Sequence, residues 1–234
     1  MNKQSNTYTT IYIILLVLIV GIALASTSLA LRDRQQANAD ADKMRQILAA
    51  ALITPESNDV INAYGKHIVE SFVVNDKGMP IEGDAFTINV AEQVKKPAAE
   101  RALPVFVCLL DDGSKKYILP TYGAGLWGPI WGYIALDANG STIYGAYFAH
   151  QGETPGLGAE IEKPAFCDKF KGLNLYKNDT FMPIAVVKAG QQPKGDEDYV
   201  DGVSGGTITS KGVGDMIDNS LSPYKAYLKT LSTK

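Results

Sequence analysis

The sequence is poor in the residues that cross-link small domains or bind metals. Among its 234 residues there are only two cysteines and two histidines. Cys108 and Cys167 lie far apart, and neither belongs to a CxxC pair. This spacing excludes a disulfide framework and a sequence-local zinc or iron–sulfur site, so we predict no bound metal. The cysteines form either one bridge or two buried thiols, and the apolar run 105–110 around Cys108 favours burial.

Clusters of basic residues are absent too. The chain has 22 lysines and arginines against 25 acidic residues, a net charge of −3, and no lysine- or arginine-rich run stands out. We therefore expect no nucleic-acid partner. A hydrophobic content of 46% allows a sizeable core, and the length fits one or two domains.

What the chain does have is one long apolar run near its start. Residues 11–31 carry no charged side chain. A helix of that length covers about 30 Å, the thickness of the hydrocarbon layer of a bilayer. We predict a short tail at 1–10 and a retained transmembrane helix at 11–31, followed by Arg32 and Arg34. A cleaved signal peptide is the alternative, because Ser28-Leu29-Ala30 resembles a cleavage site.

The next segment, 32–58, is predicted to be a juxtamembrane helix and linker. It carries an apolar stripe at helical spacing, formed by Met44, Ile47, Leu48, Ala51 and Leu52. This stripe is typical of a packing face. Thr54-Pro55 predicts the end of the helix. The excess of bases after the apolar run favours a cytoplasmic location for the rest of the chain, whereas the likeness to a signal sequence favours export.

Residues 59–234 mix helical and strand-like patterns, which predicts one α+β domain. Helices are predicted at 60–70, at 166–170, after Ser210 and at 223–231. Strands are predicted at 72–74, 105–110, 117–119 and 182–188, with a hairpin formed by 135–139 and 141–148.

A glycine- and hydroxyl-rich stretch organises the end of this domain. Residues 201–210 read Asp-Gly-Val-Ser-Gly-Gly-Thr-Ile-Thr-Ser and precede a predicted helix. Backbone N–H groups in such a turn, leading into a helix N-terminus, favour a bound phosphate. Thr207 would hold its hydroxyl at the mouth of that site. The simpler interpretation is an ordinary loop in which Thr209 or Ser210 caps the helix.

A second stretch, residues 122–133, is rich in glycine and tryptophan. Gly123, Gly125 and Gly128 form a GxGxxG pattern, but Pro129 and a strand follow where a dinucleotide-binding fold needs a helix. We therefore reject dinucleotide binding. Leu126 and Trp127 belong either to an aromatic core turn or to an apolar wall for a planar ring.

A third stretch, residues 150–159, contains Glu-Thr-Pro-Gly-Leu-Gly. The Pro155-Gly156 pair predicts a tight turn that holds its neighbours at fixed angles. His150 and Glu153 are too few for a metal site.

Together the three stretches resemble the FMN-binding domain in the C subunit of the sodium-translocating NADH:quinone oxidoreductases. The apolar run, residues 32–35 and residues 43–48 also resemble that protein. The family usually has alanine where this chain has Gly206. The missing methyl group should loosen the loop without blocking its chemistry.

The resemblance implies FMN bound through a phosphoester to Thr207, in an FMN-binding region at about 117–220 of a single soluble domain at 59–234. The predicted class is α+β, with one N-terminal transmembrane helix before a mixed α/β FMN-binding domain. Asp201 and Gly202 are expected to be read as part of the flavinylation motif. The expected cofactor contacts are Leu126, Trp127, Glu153, Thr154, Leu157, Ser204, Gly205, Gly206 and Thr209.

The resemblance further implies an electron-transfer subunit that has no catalytic residue of its own. Its partners would be the other subunits of a six-subunit complex, a flavin transferase and the lipid bilayer. That complex couples NADH oxidation by ubiquinone to sodium export. The domain would lie on the periplasmic side of a bacterial inner membrane, and we adopt this orientation over the charge count.

Other functions stay open at this stage. The G subunit of Rnf ferredoxin:NAD oxidoreductases has a similar domain and threonine motif. A hydrolase would use Ser204 as nucleophile and His150 as base, but both histidines precede the Gly-x-Ser-x-Gly pattern and a charged loop replaces the required strand. A membrane-anchored binding module without a flavin is a third alternative.

Overall fold

The computed structural model of the chain describes residues 6–232. The helices are α1 Asn6–Ala50, α2 Val60–His67, α3 Val90–Gln93, α4 Pro164–Cys167, α5 Thr207–Leu221 and α6 Lys225–Ser232. The strands are β1 Ile68–Val74, β2 Pro80–Ile81, β3 Leu103–Leu109, β4 Lys115–Ala124, β5 Pro129–Asp137, β6 Ile143–His150, β7 Tyr176–Lys177, β8 Thr180–Phe181, β9 Ala185–Val187 and β10 Tyr199–Asp201. This mixture confirms the α+β class.

Helix α1 is a single helix of 45 residues, where the sequence predicts a transmembrane helix followed by a juxtamembrane one. By length and composition it is long and apolar enough to cross a membrane. The side chains of its apolar run are exposed in the protein itself, for example Leu24 at 67% and Leu29 at 70%. A signal sequence has the same length and composition, so the retained anchor stays a prediction. Part of the predicted tail, residues 1–5, lies outside the described residues.

The domain is built on a six-stranded antiparallel sheet with the order β2-β1-β3-β4-β5-β6. Neighbouring residues on a strand point to opposite faces. Accordingly Leu119 and Ile134 pack in one apolar cluster, while Ile118 and Ala135 pack in another. The sheet therefore has a buried core on each face, and neither face is left open to solvent.

Different elements cover the two faces. Helices α5 and α6 contribute Val213, Ile217 and Leu228 to the first cluster. The end of α1 contributes Ile47 and Ala50 to the second. The apolar stripe predicted at 44–52 is thus a packing face, as expected.

Three element boundaries differ from the sequence predictions. The helix predicted at 60–70 ends at His67, because Ile68 and Glu70 pair with β3. The strand predicted at 182–188 is confined to Ala185–Val187, where it pairs in parallel with β10. Helix α5 begins at Thr207, three residues earlier than predicted. In the first two cases strand pairing, which short-range patterns do not report, overrides local propensity.

The two cysteines are free thiols in the core. Burial raises the pKa of both Cys108 and Cys167 to about 11. They are therefore protonated and inert at neutral pH. The prediction of buried thiols is confirmed.

Close packing between α5 and β4 fixes where α5 lies. A β-carbon on Gly123 of β4 would stand only 2.7 Å from Cβ of Met216. A β-carbon on Gly212 of α5 would collide with the carbonyl oxygen of Ala124. The helix can therefore lie this near the strand only because both positions lack a side chain.

We expect Gly212→Ala to lower the free energy of unfolding by about 1–3 kcal/mol, because the methyl group pushes α5 away from β4. Thermal melting of the full chain in detergent measures the change. Gly65→Ala is the matched control, since Gly65 lies in α2 with open space around it. That substitution should be neutral or stabilising by up to about 1 kcal/mol. Equal effects of the two substitutions would contradict the packing argument.

Candidate functional site

The glycine-rich loop leads from β10 into the N-terminus of α5. Gly205 has a left-handed backbone with φ of 78°, a conformation that glycine adopts without strain. Gly206 occupies the N-cap position, and no side chain caps the helix. Thr207 is the first helical residue, and it is exposed. The first backbone N–H groups of a helix have no partner within the helix, so this end is available to an anion.

The simpler interpretation of the loop, in which Thr209 or Ser210 caps the helix, is wrong. Both residues lie inside the first turn of α5 and are buried. Ser210 Oγ instead accepts a 2.8 Å hydrogen bond from the backbone N–H of Val203. That bond closes the glycine-rich loop onto its own helix.

A cavity of about 430 Å³ opens beside this helix end. Its wall comes from three segments that are distant in sequence: the turn between β4 and β5, the loop after β6, and the start of α5. The lining residues are Leu126, Trp127, Glu153, Thr154, Leu157, Gly158, Gly205, Gly206, Thr207, Ile208 and Thr209. The structure thus brings together every predicted cofactor contact except Ser204. Gly158 and Ile208 are additional members that the sequence analysis did not identify.

Ser204 and Asp201 lie outside this cavity. Ser204 is exposed on the turn before α5. Asp201 closes the preceding loop, since its Oδ1 accepts a 3.2 Å hydrogen bond from Gly190 N–H and its carbonyl oxygen accepts one from Lys169 Nζ at 3.0 Å. For these two residues the structure supplies a loop-shaping role.

The cavity has an exposed apolar rim. Trp127 is 68% exposed and Ile208 is 60% exposed, and both belong to the cavity wall. The tryptophan sits in the turn between β4 and β5, closed by a 2.8 Å hydrogen bond from Gly125 N–H to the Gly128 carbonyl. A core turn would bury its tryptophan, so the first of the two interpretations of Trp127 is wrong. The strand after this turn agrees with the rejection of dinucleotide binding.

Glu153 joins all three walls of the cavity. It is 5% exposed. Its Oε1 accepts a 2.8 Å hydrogen bond from Trp127 N–H, and its Oε2 accepts a 2.6 Å hydrogen bond from the Thr209 hydroxyl. Its own N–H donates to His150 Nδ1 at 3.1 Å. Glu153 and Thr209 are 56 residues apart, and no local sequence signal pairs them.

Gly158 is required for this arrangement. A β-carbon on Gly158 would collide with Glu153 Oε2 and lie 2.6 Å from the Thr209 hydroxyl. Gly206 is similarly close to the same loop, because its β-carbon would stand 3.0 Å from the carbonyl carbon of Leu157. The extra methyl group of an alanine at 206 would therefore press against the loop after β6.

A second cavity, of about 310 Å³, lies on the other side of Thr207. It is lined by Val186, Val187, Lys188, Gln191, Gly202, Val203, Thr207, Ser210 and Lys211. Its two cations are exposed lysines, and Lys211 also pairs with Asp215 at 2.6 Å. Only Thr207 lines both cavities. The sequence analysis missed both lysines, although the i, i+4 spacing of Thr207 and Lys211 places them on one face of a helix.

The hydrolase alternative lacks its geometry. His150 uses Nδ1 to accept from Glu153 N–H, and its Nε2 lies 3.6 Å from a Glu162 carboxylate oxygen. Within residues 6–232 no hydrogen bond joins His150 to Ser204. A serine nucleophile needs its base within hydrogen-bond reach. In the same part of the chain, no group of three or more His, Cys, Asp or Glu side chains is arranged to hold a metal ion.

Comparison with known proteins defines the class. Residues 125–222 match the family model described as FMN-binding domain. The matched range begins in the turn between β4 and β5, contains the loop after β6 and ends just beyond α5. The chain is therefore an FMN-binding domain protein.

Longer matches narrow the class to one family. The chain is 34% identical over 187 residues to the C subunit of the Na(+)-translocating NADH-quinone reductase of Vibrio alginolyticus, covering 73% of each chain. Its fold matches crystal structures of the same protein from Parabacteroides distasonis and of NqrC from Shewanella oneidensis. The first has a TM-score of 0.80 at 50% identity, over 85% of this chain and 96% of that one. The second has a TM-score of 0.71 at 26% identity, over 85% and 100%.

This chain belongs to the NqrC family, the C subunits of the Na+-translocating NADH-quinone reductases. Membership of that family decides against the Rnf alternative.

Proposed function

We propose that this chain carries FMN covalently on Thr207 and relays electrons as a membrane-anchored subunit of a sodium-translocating NADH:quinone reductase. Family membership supports an FMN subunit of an oxidoreductase complex. The observation that carries the covalent link is the position of Thr207, the one residue that lines both cavities. A group esterified to its hydroxyl can place a ring on one side and a phosphate on the other.

The larger cavity fits the ring. Its volume of about 430 Å³ lies within the range of small-molecule sites, and its lining is mostly apolar with a few polar groups. Leu126, Trp127, Leu157 and Ile208 would contact the flat face or edge of the isoalloxazine. Thr154 and Gly206 would add backbone polar groups, and Glu153 would face the ring from the floor.

The smaller cavity fits the phosphate. Thr207 begins a helix of 15 residues, whose N-terminus favours negative charge by about 0.3–1 kcal/mol. Lys188 and Lys211 line the same cavity and add positive charge. A phosphodiester at the Thr207 hydroxyl would therefore meet favourable electrostatics on this side.

The chain's own residues orient and retain the cofactor. Bound FMN would supply one- and two-electron transfer. Attachment to Thr207 would keep it from dissociating, and the exposed rim would leave the ring near enough to the surface to exchange electrons with neighbouring subunits. A flavin transferase would have to make the bond, because His150 and Ser204 are not arranged as a nucleophile and base.

Thr207→Val should abolish covalent FMN in protein co-expressed with a flavin transferase, because valine lacks the oxygen that forms the ester. Intact-mass measurement and the absorbance of the denatured protein report the adduct. Thr180→Val is the matched control, since Thr180 is an exposed threonine on β8 away from both cavities. An FMN adduct persisting in Thr207→Val would exclude the assignment.

Lys188→Gln and Lys211→Gln should each slow flavin attachment by roughly two- to fivefold, the effect of one exposed lysine–phosphate contact. The double substitution should slow it further. The rate is followed by the adduct mass over time with purified transferase and flavin donor. Lys194→Gln, on the same loop but outside the cavity, serves as the control. A double variant that reacts as fast as Lys194→Gln would remove the lysines from the site.

We also propose that α1 is retained as the anchor and that the domain lies on the periplasmic side. The apolar run supports the anchor, and the family resemblance supports the orientation over the charge count. A single-cysteine label tests the orientation, since both native cysteines are buried. The exposed Lys77→Cys variant should react with a membrane-impermeant maleimide in intact spheroplasts. Labelling that appears only after lysis would place the domain in the cytoplasm.

A further inference from the structure

Glu153 is a buried carboxylate with an unusual set of partners. Both of its oxygens accept hydrogen bonds, one from the backbone of Trp127 and one from the Thr209 hydroxyl. Acceptance at both oxygens is the pattern of the ionised form, because a protonated carboxyl must donate. Thr209 lies in the first turn of α5, and a negative charge there is stabilised by the helix dipole.

No cation neutralises this carboxylate. Among residues 6–232, no lysine, arginine or histidine nitrogen lies within 4.0 Å of Glu153. The nearby imidazole of His150 accepts the Glu153 N–H through Nδ1 and turns Nε2 towards Glu162. The two lysines beside Thr207 line the other cavity. The negative charge of Glu153 is therefore directed into the cavity that it lines.

A fixed negative charge acts on any group that gains electrons nearby. Reduction adds electrons to a flavin ring, and like charges repel more strongly in a partly desolvated cavity than in water. The reduced ring would therefore be disfavoured relative to the oxidised one. The hydrogen bonds from Trp127 and Thr209 hold the charge in place, because Gly158 leaves no room for either side chain to shift.

We propose that the charge of Glu153 sets a low reduction potential for the flavin of this chain. The inference rests on the proposed function, since it requires FMN in the larger cavity. It assigns Glu153 a role separate from attachment: Thr207 holds the cofactor, and Glu153 governs how readily it accepts electrons.

The decisive comparison is Glu153→Gln against Thr209→Val. Glutamine keeps the shape and hydrogen-bonding reach of Glu153 but removes its charge, whereas valine at 209 removes one hydrogen bond and keeps the charge. Both variants are made in the full chain, flavinylated by co-expression, and titrated by spectroelectrochemistry in detergent. Intact mass reports FMN on Thr207, and thermal melting reports folding.

We expect Glu153→Gln to raise the reduced-to-oxidised ratio at the wild-type midpoint potential by at least tenfold, about 30 mV for a two-electron step. Thr209→Val should stay at or below the wild-type potential. A purely structural role for Glu153 would move both variants in the same direction. Glu153→Gln that carries FMN on Thr207 with an unchanged potential would overturn the inference and leave the proposed function intact.

The remaining outcomes also decide. A wild-type chain without FMN on Thr207 would refute the proposed function itself. A folded Glu153→Gln without FMN would assign Glu153 to attachment and overturn the inference. If Glu153→Gln fails to fold, Glu153→Asp and Thr209→Val decide, because both keep the charge. A rise of tenfold or more in the same ratio in either one would then contradict the role of charge.

Discussion

The hydrogen bond between the Thr209 hydroxyl and Glu153 Oε2, 2.6 Å long, is the contact on which the cavity beside Thr207 depends. It joins the first turn of α5 to the loop after β6. The second oxygen of the same carboxylate joins that loop to the turn between β4 and β5. Three segments that carry no common local signal thereby become one wall. Without Glu153 each would be an independent surface loop, and surface loops are the mobile parts of a fold.

The sheet brings these segments within reach of each other. Strands β4 and β5 are antiparallel neighbours, and so are β5 and β6. The turn after β4 and the end of β6 consequently lie at the same edge. Helix α5 reaches that edge because Gly123 and Gly212 let it pack directly on β4. The site is thus set by the register of the sheet and by two missing side chains, and only then by the residues that line it.

The sequence predicts the parts of this arrangement that are encoded locally. Period-two alternation and turn residues indicate the hairpin of β5 and β6, and the glycine-rich run indicates the start of α5. Most of the cavity lining follows from three short motifs through family resemblance. Glu153 is identified as a cavity residue in this way, but its bond to Thr209 is not, because the pairing depends on how the sheet folds. Ile208 and Lys211 are missed for a different reason, since their positions depend on the exact first residue of α5.

Helix boundaries have functional consequences here. With α5 beginning after Ser210, Thr207 would be a loop residue whose hydroxyl could point in many directions. With α5 beginning at Thr207, that hydroxyl lies on the first turn, between two cavities of opposite electrostatic character. Positive charge from the helix end and from Lys188 lies on one side, and the negative charge of Glu153 lies on the other.

This separation matters for a cofactor that has two chemically different ends. A phosphate is favoured by the helix N-terminus and by cations, whereas a low-potential ring is favoured by a nearby negative charge. A single site cannot supply both unless the two ends of the ligand face different walls. One turn of helix provides the partition, because Thr207 and Thr209 lie on it two residues apart, one exposed to both cavities and the other buried against Glu153. Attachment and redox tuning can therefore be altered independently by substitution at one or the other end of that turn.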